Sequence, residues 1–173
     1  GGFAGGGIYD TYSGGRETDS LRTLAALRAM GLTGYDAVAV GDDDIQYGSS
    51  WLAEAATRAA VPLVCANCVG EDGGLLFPAF RVVMRNGARV GITAVTTAER
   101  LFPVDSTLRV TPPLAALRPV CERLRREADA VVVLSHLGER DTRTLIDSLP
   151  GVDLFVNGHR KQQPGPLVRR GGR

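Results

Sequence analysis

The sequence predicts a layered α/β domain with a substantially parallel sheet, and three observations carry that expectation. Helical stretches and short β-type runs alternate along the chain, the pattern of strands joined by helical crossovers. One hairpin signal interrupts the alternation and adds antiparallel strands. The polar segments Gly41–Asp44, Asn67–Gly70, Ser135–Gly138 and Asn157–Lys161 each follow a predicted strand, which is where such sheets gather ligands.

Residues 1–15 are rich in glycine and read as loop. Thr18-Asp19-Ser20 supplies helix N-caps, because these short side chains accept from free backbone N–H groups. Leu21, Leu24, Ala25 and Leu27 then mark one helical face, and Gly31 is the expected stop. Ala37–Val40 is a short apolar strand. Ser49 and Ser50 cap a helix through Ala60, with Trp51, Leu52, Ala55 and Ala56 as its buried side. Pro62–Ala66 is the next strand. Two β-type runs within Phe80–Val95 flank Asn86-Gly87, and Asn-Gly supplies the positive φ of a type I′ hairpin turn. Pro112 and Pro113 open a helix to Glu127, since proline fits a first helical turn. Ala130–Leu134 is a buried strand of consecutive valines. Arg140–Leu149 is a short helix ended by Pro150-Gly151, and Asp153–Val156 is a further strand. The tail, rich in Pro, Gly and Arg, reads as loop or an incomplete edge strand. Neither an internal repeat nor an interdomain linker is visible, so residues 1–173 are read as one domain.

A chain of 173 residues can bury a sizeable core. Its 44% hydrophobic and 23% charged content is ordinary for a soluble globular protein. With 20 basic and 19 acidic residues the net charge is +1, which leaves no electrostatic footprint for nucleic acid. No apolar run reaches the roughly 18–20 residues of a membrane span. The start, GGFAGGGIYD, has no signal-peptide pattern. It also lacks the preceding strand and the Lys-Ser/Thr ending of a P-loop. Three cysteines do not make a disulfide framework. Cys65 and Cys68 have the CxxC spacing of a redox pair or half a zinc site. No second CxxC completes a four-cysteine site, and the favoured reading is a strand-end cysteine and a loop cysteine.

His136 and His159 are the only histidines, and each lies just after an apolar strand. Neutral imidazole there is either a hydrogen-bonded structural group or a ligand for zinc, iron, nickel or copper. Asp42, Asp43 and Asp44 are three successive carboxylates. Such neighbours repel unless a cation, a helix N-terminus or solvent offsets them. They read either as oxygen donors to a metal or as a solvated acidic turn. Asp36 and Asp153 begin strands, so they fall at the opposite edge with capping or turn roles.

Five segments taken in order resemble the calcineurin-like metallophosphoesterases, in particular the bacterial 5′-nucleotidase and UDP-sugar hydrolase branch. They are GYDAVAVGDDDIQYG, PLVCANC, GARVGITAV, VVVLSHLG and GVDLFVNGHRK. The family pattern runs GYDAVTLGNHEFDYG, P-x-x-x-A-N, G-x-(K/R)-V-G-I, V-x-L-S-H-x-G and G-I-D-x-x-x-x-G-H-(S/T)-H. The likeness extends from Leu21 to His159. It implies an α/β/β/α sandwich that uses divalent zinc, manganese or iron. Two such ions, bridged by an Asp, bind a phosphoester or nucleotide and generate a hydroxide, while a His assists the leaving group. It also implies a periplasmic or extracellular location. Position by position, His136 matches the His of S-H-x-G, His159 the first His of G-H-x-H, and Asp42 the Asn ligand. All three would serve the same one of the two metals.

The departures fall on the other metal and on the catalytic pair. Asp43 stands where the family has its catalytic His, and Gln46 where it has the supporting Asp. Lys161 replaces the last His, and an ammonium has no lone pair to give a metal. The upstream Asp-x-His strand is absent, and Gly2 holds the place of the bridging Asp if GGFAGG is that loop. The sequence therefore predicts at most one metal site, in a domain truncated at both ends and lacking terminal strands. The expected role is a degenerate binding or structural module; the odd ends read either as those of a fragment of a longer chain or as those of a subunit completed by a protein partner or a second copy. The alternative is an altered hydrolase using one metal on Asp42, His136 and His159, with Asp43 as acid or base.

Overall fold

The computed structural model describes residues 3–4, 14–99 and 107–159. Expectations for Gly2, Lys161, the rest of the glycine-rich start and the basic tail lie outside those residues.

Helix α1 (Arg16–Thr33) starts before the predicted caps and runs through Gly31. Its buried side is Asp19, Thr23 and Leu27, whereas Leu21 and Leu24 are exposed. Leucine spacing pointed to a different stripe. The helix instead buries a polar pair: Asp19 accepts from the Gly14 N–H, and the Thr23 hydroxyl donates to the Asp19 carbonyl. Gly31 is required by close approach, since a Cβ there would lie 1.8 Å from the Ala59 carbonyl oxygen. The helix stops three residues later at Gly34, whose φ of 72° is the left-handed cap glycine favours. Helix α2 (Ser49–Arg58) buries Ser49, Leu52, Ala55 and Ala56. Gly48 rather than a serine is its N-cap, and Trp51 is only half-buried beside Tyr47.

Among the described residues there are eight strands, in chain order β1 (Val38–Ala39), β2 (Leu63–Val64), β3 (Cys68–Val69), β4 (Phe80–Arg85), β5 (Ala88–Thr96), β6 (Arg109–Val110), β7 (Ala130–His136) and β8 (Leu154–Asn157). Helix α3 (Pro113–Glu127) precedes β7, and α4 (Glu139–Ser148) lies between β7 and β8. The main sheet has the order β4-β5-β7-β8. The hairpin β4–β5 is antiparallel, and the β5–β7 and β7–β8 pairs are parallel. Asn86 and Gly87 carry φ values of 50° and 81° at the hairpin turn, as a type I′ turn requires. Strands β1 and β2 form a parallel pair, and β3 and β6 an antiparallel one. The two-residue strands β3 and β6 were not visible in the sequence.

The layers are those expected. Leu117, Cys121 and Leu124 of α3, with Leu145 of α4, are buried. Leu117, Cys121 and Leu145 pack with Val95 and Val133 of the main sheet. Ala94 and Leu134, on the other face, meet Ala39 and Val64 of β1–β2. Beyond that pair, Val38 and Leu63 pack on Leu27, Leu52, Ala55 and Ala56 of α1 and α2. The order is thus helix, sheet, sheet, helix, with small residues where the sheets touch. At the far edge, Asp36 accepts from Arg85, and Asp153 accepts from the Val131 N–H at 2.7 Å. Both aspartates tie strands together there.

Candidate metal centre

The chain leaves β1 through Gly41 into a 3₁₀ turn, Asp42–Ile45. Asp44 organises this turn. Its Oδ2 accepts from the Gly41 N–H at 2.8 Å, and its Oδ1 accepts from the Phe3 and Ala4 N–H groups at 2.7 and 3.0 Å. Asp42, Asp43 and Asp44 are 1%, 7% and 0% exposed. The reading of a solvated acidic turn is therefore overturned: backbone donors and imidazoles, rather than water, surround these carboxylates.

His136 ends β7 and pairs across the sheet with Thr96, the last residue of β5. Strand alternation puts both on the face carrying Ala94 and Leu134, which meets β1–β2. His159 follows β8, and its N–H donates to Asn157 Oδ1 at 3.3 Å. Asn157 in turn donates to Thr142 Oγ1, which shares a hydrogen bond with the Ser135 hydroxyl. One residue thus comes from the turn after each of β1 and β8, and one from the end of β7.

These three side chains converge. His136 Nε2 lies 3.0 Å from Asp42 Oδ1 and 3.1 Å from His159 Nδ1. The donor atoms of Asp42, His136 and His159 all fall within 4.8 Å of one another, and all three residues are buried. Nε2 carries at most one proton, so its two close contacts compete for it. Asp42 Oδ2, His136 Nδ1 and Thr96 Oγ1 are buried with no hydrogen-bond partner among the described residues. Burial pushes the Asp42 carboxyl up, but the His136 hydrogen bond, the charges of both histidines and the Asp43 N–H outweigh it. The group is left below the ordinary carboxylate value. An ionised carboxylate and two imidazoles, with a buried oxygen unspent, fit a divalent transition metal.

The structure brings together Asp42, His136 and His159. Asp43 is buried in the same turn but outside that trio. Gln46 follows the turn and is half-buried. Three residues that sequence reasoning missed complete the surroundings. Glu99 Oε2 lies 3.6 Å from His159 Nε2, on the ring nitrogen turned away from the trio. Thr96 sits opposite His136. The fully buried Asn67 donates to the Thr96 and Thr111 carbonyls and accepts from the Thr96 N–H. For Asn67 the available signals were the match to P-x-x-x-A-N and its place three residues after a strand; Glu99 likewise follows a strand by three residues.

Comparison with known proteins agrees with this architecture. The 5′-nucleotidase of Rattus norvegicus is 27% identical over 160 residues, spanning 87% of this chain and 28% of that protein. Among solved structures, the 5′-nucleotidase precursor from Thermus thermophilus superposes with a TM-score of 0.70 at 30% identity, over 80% of this chain and 28% of that one. The sulfate thiohydrolase SoxB of the same organism gives 0.73 at 24% identity, over 87% of this chain and 29% of that one. No protein-family model matches the sequence. The fold is that of the calcineurin-like metallophosphoesterases. Within them, sequence and structure together align the chain with the 5′-nucleotidase branch. It spans under a third of the length of the first relatives it matches.

Proposed function

We propose that this chain is a 5′-nucleotidase-like domain that holds one divalent transition metal and serves as a binding module for a phosphoester or nucleotide, without standard two-metal hydrolysis. The observation that carries this reading is the buried convergence of Asp42, His136 and His159 within 4.8 Å. Zinc, manganese and iron all suit such a donor set. A bound ion would supply Lewis acidity toward a phosphate oxygen. Asp42 would give an anionic oxygen, His136 its Nε2 and His159 its Nδ1, with Glu99 steadying the outer nitrogen of the His159 ring. Asp43 stands where the resembled family has a histidine. When ionised it accepts hydrogen bonds only, and it would repel a phosphate instead of assisting it. By the same resemblance we place the domain in the periplasm or outside the cell. Among the described residues, no helix is long and apolar enough to cross a membrane.

Elemental mass spectrometry on the purified chain, reconstituted with each ion, tests the proposal. We expect one ion per chain, lost in His136→Ala and in His159→Ala, and no metal-dependent phosphate release from nucleoside monophosphates. No bound ion under any condition would overturn the site. Metal-dependent phosphatase activity abolished by His136→Ala would overturn the loss of hydrolysis.

A second reading draws on the burial of Asp43 beside Asp42. Here the domain is an altered one-metal hydrolase, and Asp43 is its acid or base. That reading fails if replacing His136 and His159 together leaves activity unchanged.

A further inference from the structure

Residues 65–68 form a second buried cluster that the proposed function does not use. Cys65 Sγ and Cys68 Sγ lie 3.2 Å apart, both residues fully buried. We propose that Cys65 and Cys68 are a redox couple that closes to an internal disulfide under oxidising conditions.

The loop is held in place for this. Cys65 N–H donates to the Pro78 carbonyl, Ala66 N–H to the Ala94 carbonyl, and Leu76 N–H to the Cys68 carbonyl. Between the two sulfurs, Asn67 is fixed by its side-chain bonds to Thr96 and Thr111. The backbone is thus pinned on both sides, and bonding the sulfurs from 3.2 Å asks for about 1 Å of approach. A metal site is a poorer account of the pair. Among the described residues, the only trio of His, Cys, Asp or Glu fit to hold an ion is Asp42, His136 and His159.

The two thiols are not equivalent. A hydrogen bond between the two sulfurs holds Cys65 below the usual thiol range. Burial opposes this, while the N–H groups of Asn67, Cys68 and Thr96 assist it. The bond to Cys65 and burial push Cys68 up. Within the closed loop Cys65 is thus the more acidic of the two. In the exchange, one thiolate displaces one thiol from a low-molecular-weight disulfide and forms a mixed disulfide, and the other cysteine then attacks the bonded cysteine sulfur and releases the second thiol. Two thiols and one disulfide become one internal disulfide and two small thiols, so the oxidant takes up both electrons and both protons. Because the pair is closed to solvent, the exchange takes place while the loop is open, during folding or local unfolding. Cys121 stands apart in the α3 core, where burial and the Glu122 charge push its thiol up to about 11.

The test is to refold the full chain carrying Cys121→Ser in glutathione buffers of graded potential, alkylate it and measure its intact mass. We expect loss of two hydrogens and no alkylation at the oxidising end, reversed by reductant. Cys65→Ser should leave Cys68 alkylated throughout. The proposal is overturned if both thiols still alkylate at potentials where a peptide of residues 63–70 has closed. Stable glutathione adducts as the end product would also overturn it. Peptide mapping of the differentially alkylated wild-type chain gives the same reading without the Cys121 replacement.

Discussion

The amide of Asn67 and the imidazole of His136 lie at neighbouring strand ends, linked through Thr96, and both residues are buried. Around Asn67, the side-chain nitrogen donates to two carbonyls and the side-chain oxygen accepts a backbone N–H. Around His136, one nitrogen is shared between Asp42 and His159, the other has no partner, and a carboxylate oxygen nearby is equally unspent. Buried polar groups are costly unless paired. A satisfied amide is architecture, whereas a carboxylate and two imidazoles crowded together, with one carboxylate oxygen and one ring nitrogen unspent, mark a place for a ligand.

The largest expected effect breaks the architectural side. Asn67→Ala strands the Thr96 carbonyl, the Thr96 N–H and the Thr111 carbonyl in the interior. With roughly 1–3 kcal/mol for each orphaned group, the loss should be about 3 kcal/mol or more. Denaturant unfolding without metal reads it directly, and added metal should still stabilise whatever folds.

His136→Ala should show the reverse. At a free ion concentration 100 times Kd, the wild-type chain should gain about 2.7 kcal/mol. The variant should gain nothing from the same ion, while its metal-free stability falls less than that of Asn67→Ala. The contrast fails if metal-free His136→Ala is as unstable as Asn67→Ala, because the trio would then be architecture too.

A smaller effect separates the two clusters by pH. The Asp42 carboxyl is held below its ordinary value of 3.8 in the folded chain. Its contribution to stability is therefore complete above that value and is lost as pH falls through the folded one. Asp42→Asn should flatten this acid limb in metal-free unfolding curves, whereas Asn67→Ala should lower the whole curve and leave its slope. An unchanged limb in Asp42→Asn would mean that the charge interaction with the histidines contributes nothing to folding.

The same division explains what the sequence reveals. The hairpin turn at Asn86-Gly87, the Pro112-Pro113 helix start and the valine strand β7 rest on local chemistry, so they are legible. Asp42, His136 and His159 are legible as candidates because each ends a strand or lies within three residues of a strand's end. Their meeting is a tertiary fact across 94 and 23 residues of separation. The buried face of α1 misleads because Asp19 and Thr23 are chosen by their partners, not by hydrophobicity. Gly31 misleads because a helix-stopping residue type also serves wherever another backbone comes too close for a Cβ. Asn67 is legible as a motif position, but its role emerges only when the carbonyls it serves, 29 and 44 residues away, are in place.

Glu99 gives the finest test, because it touches the trio only from outside. Its carboxylate is 3.6 Å from His159 Nε2 and its side chain is 51% exposed. Carboxylates behind a metal-bound histidine fix its tautomer and typically matter about 10–100-fold in affinity. A half-exposed partner at this distance should matter less, nearer the roughly 0.2–1 kcal/mol of a surface ion pair. Glu99→Gln should therefore weaken metal binding by no more than about fivefold in a competition titration, with metal-free stability unchanged. A tenfold loss would make Glu99 part of the ligand-orienting machinery. No loss at all would leave the orientation of His159 to its backbone, anchored through Asn157 and Thr142.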